Sequence, residues 1–543
     1  MKRFKLFLAM AALACAIGLT VKYGSTYRPV VEPVREIEEI WALEDAREES
    51  GEPLVTRLFC NGIPMAYDAE NNVFYGSLGL ENGAQWPEIK LTASEEAAKG
   101  LSLCFADDYG FDDCDAAIRE GYSYQIFAYT DTAYSYAEVV FTGLPLVNVT
   151  AEQTIEREDV PAQIEIALAA EGLQTNGRIH KRGGASILND KVGYKLEFTR
   201  TTDGKKKIYR EIPGMGTDSQ VILLPMNALD TTMMRDRLSW ALYARLTRRD
   251  EPFSARMTQY CELFLNGEYR GVYLMLEPFS VRQEVAKAGE ERLTTDSVYR
   301  TAVISLSHGR PCMEDPYSAA TGFELYYPMD GEPDFSPLAD YFALLGETDD
   351  AAFMRRAAQI IDLDSALRYD VVLQLFGLTD NVINNMYTWA QNSRGHTRYR
   401  FDFWDLDVSW GLKRDEIGEM HENWVFFPLV DRLLRADEEG GVRQRYGEIY
   451  REVREKAFDT ETVEALVGQY AHELNDSGAM ARNAERWETE NYAADGYELV
   501  AFAAERIALL DEPVRAMSAG EEIDLRFLEK TNYDDKGTPL SEE

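Results

Sequence analysis

Residues 380–385 read Asp380-Asn381-Val382-Ile383-Asn384-Asn385, and downstream the chain reads Tyr399-Arg400-Phe401-Asp402-Phe403-Trp404-Asp405-Leu406-Asp407-Val408-Ser409-Trp410-Gly411. The second stretch alternates and is rich in aromatics, the pattern of a buried strand. Carboxylates at the end of such a strand need a physical reason. An Asp, an Asn five positions on and an acidic strand end further along is a spacing that serves phosphoryl transfer, with a base beside the acceptor hydroxyl and two ligands around Mg²⁺. On that reading Asp405 and Asp407 tolerate each other because a divalent cation sits between them and substrate phosphates. A plainer alternative stands beside it. Asp380-Asn381 would cap a helix, and Asp405 and Asp407 would face solvent or pair with Arg. Asp402-Phe403 resembles the start of Asp-Phe-Gly, but Trp404 follows where Gly should stand.

Three other segments bring a family into view. Residues 181–198, Lys-Arg-Gly-Gly-Ala-Ser-Ile-Leu-Asn-Asp-Lys-Val-Gly-Tyr-Lys-Leu-Glu-Phe, resemble the Arg-Gly-Asn-Ser-Ser loop and Lys-bearing strand of the spore-coat CotH kinase family. Residues 221–240 resemble its strand and following helix, in which an Arg precedes an Asn or Asp. Residues 263–277, Leu-Phe-Leu-Asn-Gly-Glu-Tyr-Arg-Gly-Val-Tyr-Leu-Met-Leu-Glu, are similar to its hairpin. With the 380–407 region, the resemblance spans roughly residues 155–515. It implies an exported or surface kinase of atypical, kinase-like fold that uses ATP and Mg²⁺ (or Mn²⁺) to phosphorylate Ser-rich protein. Asp380 then matches the catalytic base, Asn385 a metal ligand, Asp405 the Asp that bridges metal to phosphate, and Asp407 the second acidic position. The chain departs from the family in Arg182-Gly183-Gly184-Ala185-Ser186, where a Ser is lost, and in Lys191-Val192, where a second basic residue is usual.

The remaining candidates follow from side-chain chemistry. Gly183 and Gly184 between strands let backbone N–H groups approach phosphate, with Arg182 and Ser186 alongside, or else form an ordinary hairpin turn. Lys191 and Lys195, four apart on a strand, project to one face, where either would neutralise phosphate; either would equally be a surface residue. Arg235 lies in a helical pattern with Met234, Leu238, Leu242 and Leu246, suited to bidentate recognition of phosphate or carboxylate, or to exposure. Glu277 ends an apolar strand before Pro278, where a kinase-like fold turns at the adenine, or it pairs with an Arg.

Composition sets outer bounds. The 543 residues accommodate two or more domains, and 45% hydrophobic content with 11% aromatics argues for a folded chain. A net charge of −38 excludes the basic surface that nucleic-acid binding requires. It favours a basic protein substrate, or simply solubility. Met1-Lys2-Arg3 followed by the apolar run 6–21 reads as an export signal or membrane anchor. Six Cys form no metal spacing, and Cys104 and Cys114 are placed to close a small disulfide loop.

The pattern predicts an α+β chain: a signal or anchor at 1–21, a stalk at 22–52, an all-β sandwich-like domain at 53–147, a two-lobed kinase-like domain at 148–530 and a polar tail at 531–543. Strands fill the first half of the kinase-like part. Helices follow at 351–361, 363–379, 424–434, 446–458, 460–474 and 497–517. The reading is a protein Ser/Thr kinase at the cell surface, with a catalytically inactive surface binding protein on the same fold as the alternative. A hydrolase working through Asp405 and Asp407 is the third, and it gives no role to Asn385 or the Gly and Lys segment.

Overall fold

In the computed structural model, the strand-patterned segments between residues 146 and 276 close into a barrel. The residues described are 30–32, 36–84, 89–94, 100–106, 113–183, 185–226, 230–302, 323–328, 334–393, 395–412, 424–425 and 427–521. The barrel strands are β1 (Leu146–Thr150), β2 (Val160–Leu168), β3 (Glu171–Arg182), β4 (Gly193–Thr199), β5 (Gln220–Leu224), β6 (Thr258–Leu265) and β7 (Glu268–Leu276). Their order is β1-β2-β3-β4-β5-β7-β6, and the parallel pairing of β1 with β6 closes it. Asn266 and Gly267, both at positive φ (53° and 78°), make the tight turn between β6 and β7.

Period-two alternation gives the barrel two faces. Tyr194, Leu196 and Phe198 of β4 point inward with Ile179, Val221, Leu223, Tyr273 and Met275. Ile222, Leu274 and Leu276 point outward into a core shared with the helices. Lys195 is on that outward face, cross-strand from Ile222.

The helical half is built on α1 (Arg235–Tyr243), α2 (Leu363–Phe376), α3 (Asp380–Ile383), α4 (Gly441–Lys456), α5 (Thr460–Asp476), α6 (Ala479–Trp487) and α7 (Tyr497–Ser518). Asp362 caps α2 by accepting the Ser365 N–H at 3.3 Å. Gly377 ends it at φ 67°, with the Phe502 ring where a Cβ would stand. A four-stranded antiparallel sheet adjoins the helices. It consists of β8 (Ser297–Ala302), β9 (Phe323–Tyr327), β10 (Asn384–Ser393) and β11 (His396–Phe403), in the order β9-β8-β10-β11. The β10–β11 register pairs Met386 with Phe403, so the last residues of β11 stand beside the first of β10.

Before the barrel, a seven-stranded and a three-stranded sheet share one core that includes Leu58, Leu91, Leu103, Tyr124, Val139 and Phe141. This β region docks on the barrel through Tyr75, whose ring stacks on Tyr269 at 5.7 Å.

Several expectations change. Cys104 and Cys114 are buried thiols and form no disulfide. The reason is the pleat: Leu103 and Phe105 face the main core with Cys114, whereas Cys104 faces Ile40 and Phe127 on the other side of the sheet. The 22–52 stalk includes a helix, Ile37–Asp45, packed there through Ile40. The helix expected from 424 begins at Pro428, because Val425 and Gln374 exchange hydrogen bonds of 2.8 and 2.6 Å that hold the chain extended. The apolar run 6–21 and the tail 531–543 lie outside the described residues. Among the described residues, no helix is long and apolar enough to cross a membrane.

Two predictions follow from buried polar groups. Fully buried Glu262 of β6 accepts from Arg482 of α6 (2.9 and 2.8 Å) and Tyr269 (2.6 Å), pinning α6 to the barrel. Glu262→Gln, which leaves Arg482 uncompensated, is expected to cost about 3–5 kcal/mol in urea denaturation. Asp370 of α2 is fully buried, and burial raises its pKa to about 7 despite hydrogen bonds from Tyr446 and Gln374. A carboxyl raised on folding holds its proton in the native state while the unfolded chain releases it. Its contribution is therefore full below about pH 4 and is lost as pH rises to about 7. Asp370→Asn is expected to flatten that part of the stability–pH curve, measured by urea denaturation at stepped pH.

Candidate active site

The acidic residues of the two quoted stretches meet where α3, β10 and the end of β11 join. Asp380 opens α3 and is 6% exposed. Its carboxylate accepts from the Asn385 amide at 2.8 Å and the Asn384 amide at 3.2 Å. Asn385 adopts φ 56°, a left-handed conformation that Asn tolerates better than most side chains. The Trp404 N–H donates to the Asn385 carbonyl at 3.0 Å, and the Asn381 amide donates to the Trp404 carbonyl at 2.7 Å. These two bonds fix the residue before Asp405 to the turn that carries Asp380 and Asn385.

Beyond Trp404 the strand stops, because Asp405 turns the chain at φ 58°. The loop is then held from behind. Leu406 is buried, Ser409 Oγ donates to the Leu406 carbonyl at 2.7 Å, and the Trp410 N–H donates to the Phe376 carbonyl at 2.8 Å. Asp407 keeps contact with solvent. Its carboxyl is nevertheless pushed well above the ordinary Asp range by lost hydration and then by repulsion from Asp405, Asp236 and Asp380. Asp236, 3% exposed, is pushed up to about 7 by burial and then by Asp405, while Arg182 opposes the rise.

Two cations stand on the barrel side. Arg182 ends β3 with its guanidinium 6.0 Å from the Trp404 ring centroid. Lys195 projects from β4 and makes no hydrogen bond or ion pair among the described residues. Burial, then Lys207, hold its ammonium pKa below the usual Lys value, with Arg182 a smaller influence. Gly183 has φ 126°, and Ser186 Oγ packs where its Cβ would stand, so the turn after β3 requires glycine there.

Three expected site residues are committed elsewhere. Lys191 donates to the Val272 carbonyl at 2.7 Å and to Asn483 Oδ1 at 2.9 Å, with the Tyr273 and Trp487 rings around it, so it ties the glycine loop to α6. Arg235 is buried in ion pairs with Asp230 and Glu498 and donates to the Ser409 carbonyl at 3.2 Å. It secures the Asp405–Ser409 loop from behind and takes no place among the facing groups. Glu277 is held by both terminal nitrogens of Arg249 (2.6 and 3.0 Å) and by the Met257 N–H at 3.0 Å, so its carboxylate is not available to a base. The expected set omitted Asp236, the neighbour of Arg235, and Asn381. The Arg-then-Asp order in the 221–240 helix was the available signal for Asp236.

The family resemblance implies a divalent cation, and the donor chemistry fits one. Asp380, Asn385, Asp405 and Asp407 offer only oxygen as anionic or carbonyl ligands, as a hard cation prefers. No basic side chain pairs with Asp407 among the described residues. Among the described residues no group of three or more His, Cys, Asp or Glu side chains is placed to hold a metal ion. Mg²⁺ ordinarily takes one or two carboxylates and completes its shell with water and phosphate oxygens.

The two lysines make a test of this placement. Lys191→Met is expected to destabilise the fold by about 1.5–3 kcal/mol in urea denaturation, the size of hydrogen bonds from a charged donor. Lys195→Met, with no partner to lose, is expected to change it by less than about 0.5 kcal/mol.

Comparison with protein-family models matches residues 179–510 to the family described as CotH kinase protein. A search of curated proteins finds no match. The matched span holds the glycine turn, Lys195, α1, the Asn266-Gly267 hairpin and the acidic junction, and it covers more than half of the 543 residues. The chain belongs to the CotH kinase family.

Proposed function

We propose that this protein is an ATP-dependent phosphotransferase that uses Mg²⁺ or Mn²⁺ to move the γ-phosphoryl group to Ser or Thr of a protein substrate, and to itself. The observation that supports this reading is the junction of Asp380, Asn385 and Asp405, held together by the Asn385–Asp380 and Trp404–Asn385 hydrogen bonds. The barrel and the helical half act as the two lobes of a kinase-like body, and the nucleotide binds where they meet.

In that site Asp380 orients the acceptor hydroxyl and takes its proton as the oxygen attacks phosphorus. Hydrogen bonds from Asn384 and Asn385 fix the position of its carboxylate. Asn385, Asp405 and Asp407 hold the divalent cation. When bound, the cation neutralises charge on the phosphate oxygens. Lys195 and Arg182 supply positive charge from the barrel side, and the backbone of the Gly183 turn covers the phosphates. Little covalent chemistry is asked of the protein beyond the proton transfer, so positioning and electrostatics carry the rate.

The substrate is proposed to be Ser-rich and basic, since a chain of net charge −38 attracts positive partners. The basic N-terminus and apolar run 6–21 support export or anchoring at the cell surface.

Asp405→Asn keeps shape and removes a charge. It is expected to lower ³²P incorporation from labelled ATP by at least about a hundredfold, the scale of losing one preorganised electrostatic group, with unchanged melting. Unchanged incorporation sinks the assignment. Titration of wild type with ATP and Mg²⁺ separates the kinase from an inactive binding protein, which has no need of nucleotide.

A further inference from the structure

The net charge of −38 is a sum over the whole chain, and one turn of the barrel runs against it. Residues 200–210 read Arg-Thr-Thr-Asp-Gly-Lys-Lys-Lys-Ile-Tyr-Arg, five cations and one carboxylate, in a chain where acidic residues outnumber basic ones 94 to 56. Arg200, Lys205, Lys206, Lys207 and Arg210 are all exposed, and so is the Tyr209 ring. Lys205 pairs with Asp203 at 3.0 Å and Lys207 with Glu197 at 3.4 Å. Arg200, Lys206 and Arg210 have no ion pair among the described residues. The neighbouring Glu211 carboxylate is engaged by the Thr217 hydroxyl.

The turn is held in one shape. The Arg200 N–H donates to the Lys206 carbonyl at 2.9 Å and the Ile208 N–H to the Phe198 carbonyl at 3.0 Å. The Lys205 N–H donates to Asp203 at 3.2 Å, and Gly204 is buried against the Arg178 side chain of β3. Tyr209 accepts from Gln283 of the helix Val281–Lys287 at 3.0 Å. A cationic surface fixed in this way loses little freedom when an anion binds it. It is also continuous with the proposed site. Lys195, Glu197 and Thr199 alternate on one face of β4, and Lys207 bridges to Thr199. Lys195 and Thr199 are four residues apart, about 13 Å at the rise of a strand. A phosphate at the turn and one at Lys195 are therefore separated by at least about four residues of extended peptide.

Building on the phosphotransferase reading, we infer that the 200–210 turn binds phosphoserine in a segment of the protein substrate that has already been phosphorylated. The chemistry of the turn suits that anion: Arg200 and Arg210 carry planar forks that match phosphate oxygens, and the three lysines add point charges. Each transfer replaces a neutral hydroxyl with a charge of about −1.5 to −2. A Ser-rich, basic substrate thus turns anionic as it reacts, and a body of net charge −38 then repels it. At the turn that repulsion is reversed, so the reacted segment stays on the barrel while further Ser residues reach Asp380.

The test is fluorescence anisotropy of the full chain with a labelled Ser-Gly peptide whose phosphoserine lies about five residues from a free Ser, and with its unphosphorylated twin. Mg²⁺ and a non-hydrolysable ATP analogue are present to keep peptide phosphate out of the catalytic site. The phosphopeptide is expected to bind at least about tenfold more tightly than its twin, with an advantage that falls as salt rises. Lys206→Ala combined with Arg210→Ala is expected to lose that advantage and to melt at the wild-type temperature, since neither side chain has an ion pair to lose. Lys206→Arg combined with Arg210→Lys is expected to retain it. Equal affinity for the two peptides overturns the inference, as does phosphopeptide affinity unchanged in the Ala variant. Phosphatidylglycerol vesicles or oligodeoxythymidylate bound more tightly than the phosphopeptide, and released in the same variant, overturn it by making the turn a lipid or nucleic-acid contact. An Ala variant that melts well below wild type marks the turn as structural and overturns it too. Phosphate transfer from ATP is scored separately. Phosphopeptide binding lost in the Ala variant, in a chain that transfers nothing, leaves the phosphoserine site standing and removes the kinase reading; transfer by a chain that binds the two peptides equally does the reverse.

Discussion

Like charges forced together at the end of one strand are the constraint on which the site depends. Lost hydration, then repulsion from Asp405, Asp236 and Asp380, pushes the Asp407 carboxyl well above its ordinary range. Such a cluster persists only if the backbone beneath it cannot relax. Here the Trp404 N–H is fixed to the Asn385 carbonyl, the Trp404 carbonyl to the Asn381 amide, and the Trp410 N–H to the Phe376 carbonyl. Each bond ties the acidic loop to α2, α3 or the start of β10, elements rooted in the largest core of the protein. Packing energy from that core holds in place an arrangement that electrostatics alone would open.

Much of this was legible in the sequence because it rests on local pattern. The alternation of Tyr399 to Phe403 marked β11, and the resemblance of residues 263–277 to the family's hairpin matched the turn at Asn266-Gly267. The Asp380 to Asn385 spacing singled out two side chains that hydrogen-bond to each other. What the sequence hid was the partner of each charged group. Lys191 and Lys195 carry the same charge four residues apart, but Lys191 precedes β4 in a loop and reaches Asn483, far along the chain on α6. Glu277 stands at the expected strand end, yet Arg249 claims it. Ion pairs between residues distant in sequence depend on the finished fold, and local periodicity carries no information about them. The same holds for Cys104 and Cys114, whose spacing suits a loop closure that the pleat of one strand forbids.

The β region ahead of the family-matched span contributes rigidity at the far side of the barrel. Tyr75 stacks on Tyr269, and Tyr269 donates to Glu262, which is paired with Arg482 on α6. A continuous chain of packed and charged contacts thus runs from the N-terminal sheets through β6 and β7 into the helical half. Lys191 joins that chain at Asn483, next to Arg482, so the far end of the glycine loop is anchored to the same helix. The loop's start is set by Gly183 and its end by Lys191.

Arg235 and Asp236 show how one helix start serves both frame and site. Successive residues on a helix point about 100° apart, so neighbours cannot share a task. Arg235 turns toward Asp230, Glu498 and the Ser409 carbonyl, binding α1 to α7 and to the back of the acidic loop. Asp236 is thereby turned toward the front of the same loop, where Asp405 and Asp407 lie. The arginine that sequence reasoning assigned to phosphate instead fixes the direction of the aspartate beside it, and the order Arg-Asp matters because the reverse order would place the guanidinium among the carboxylates.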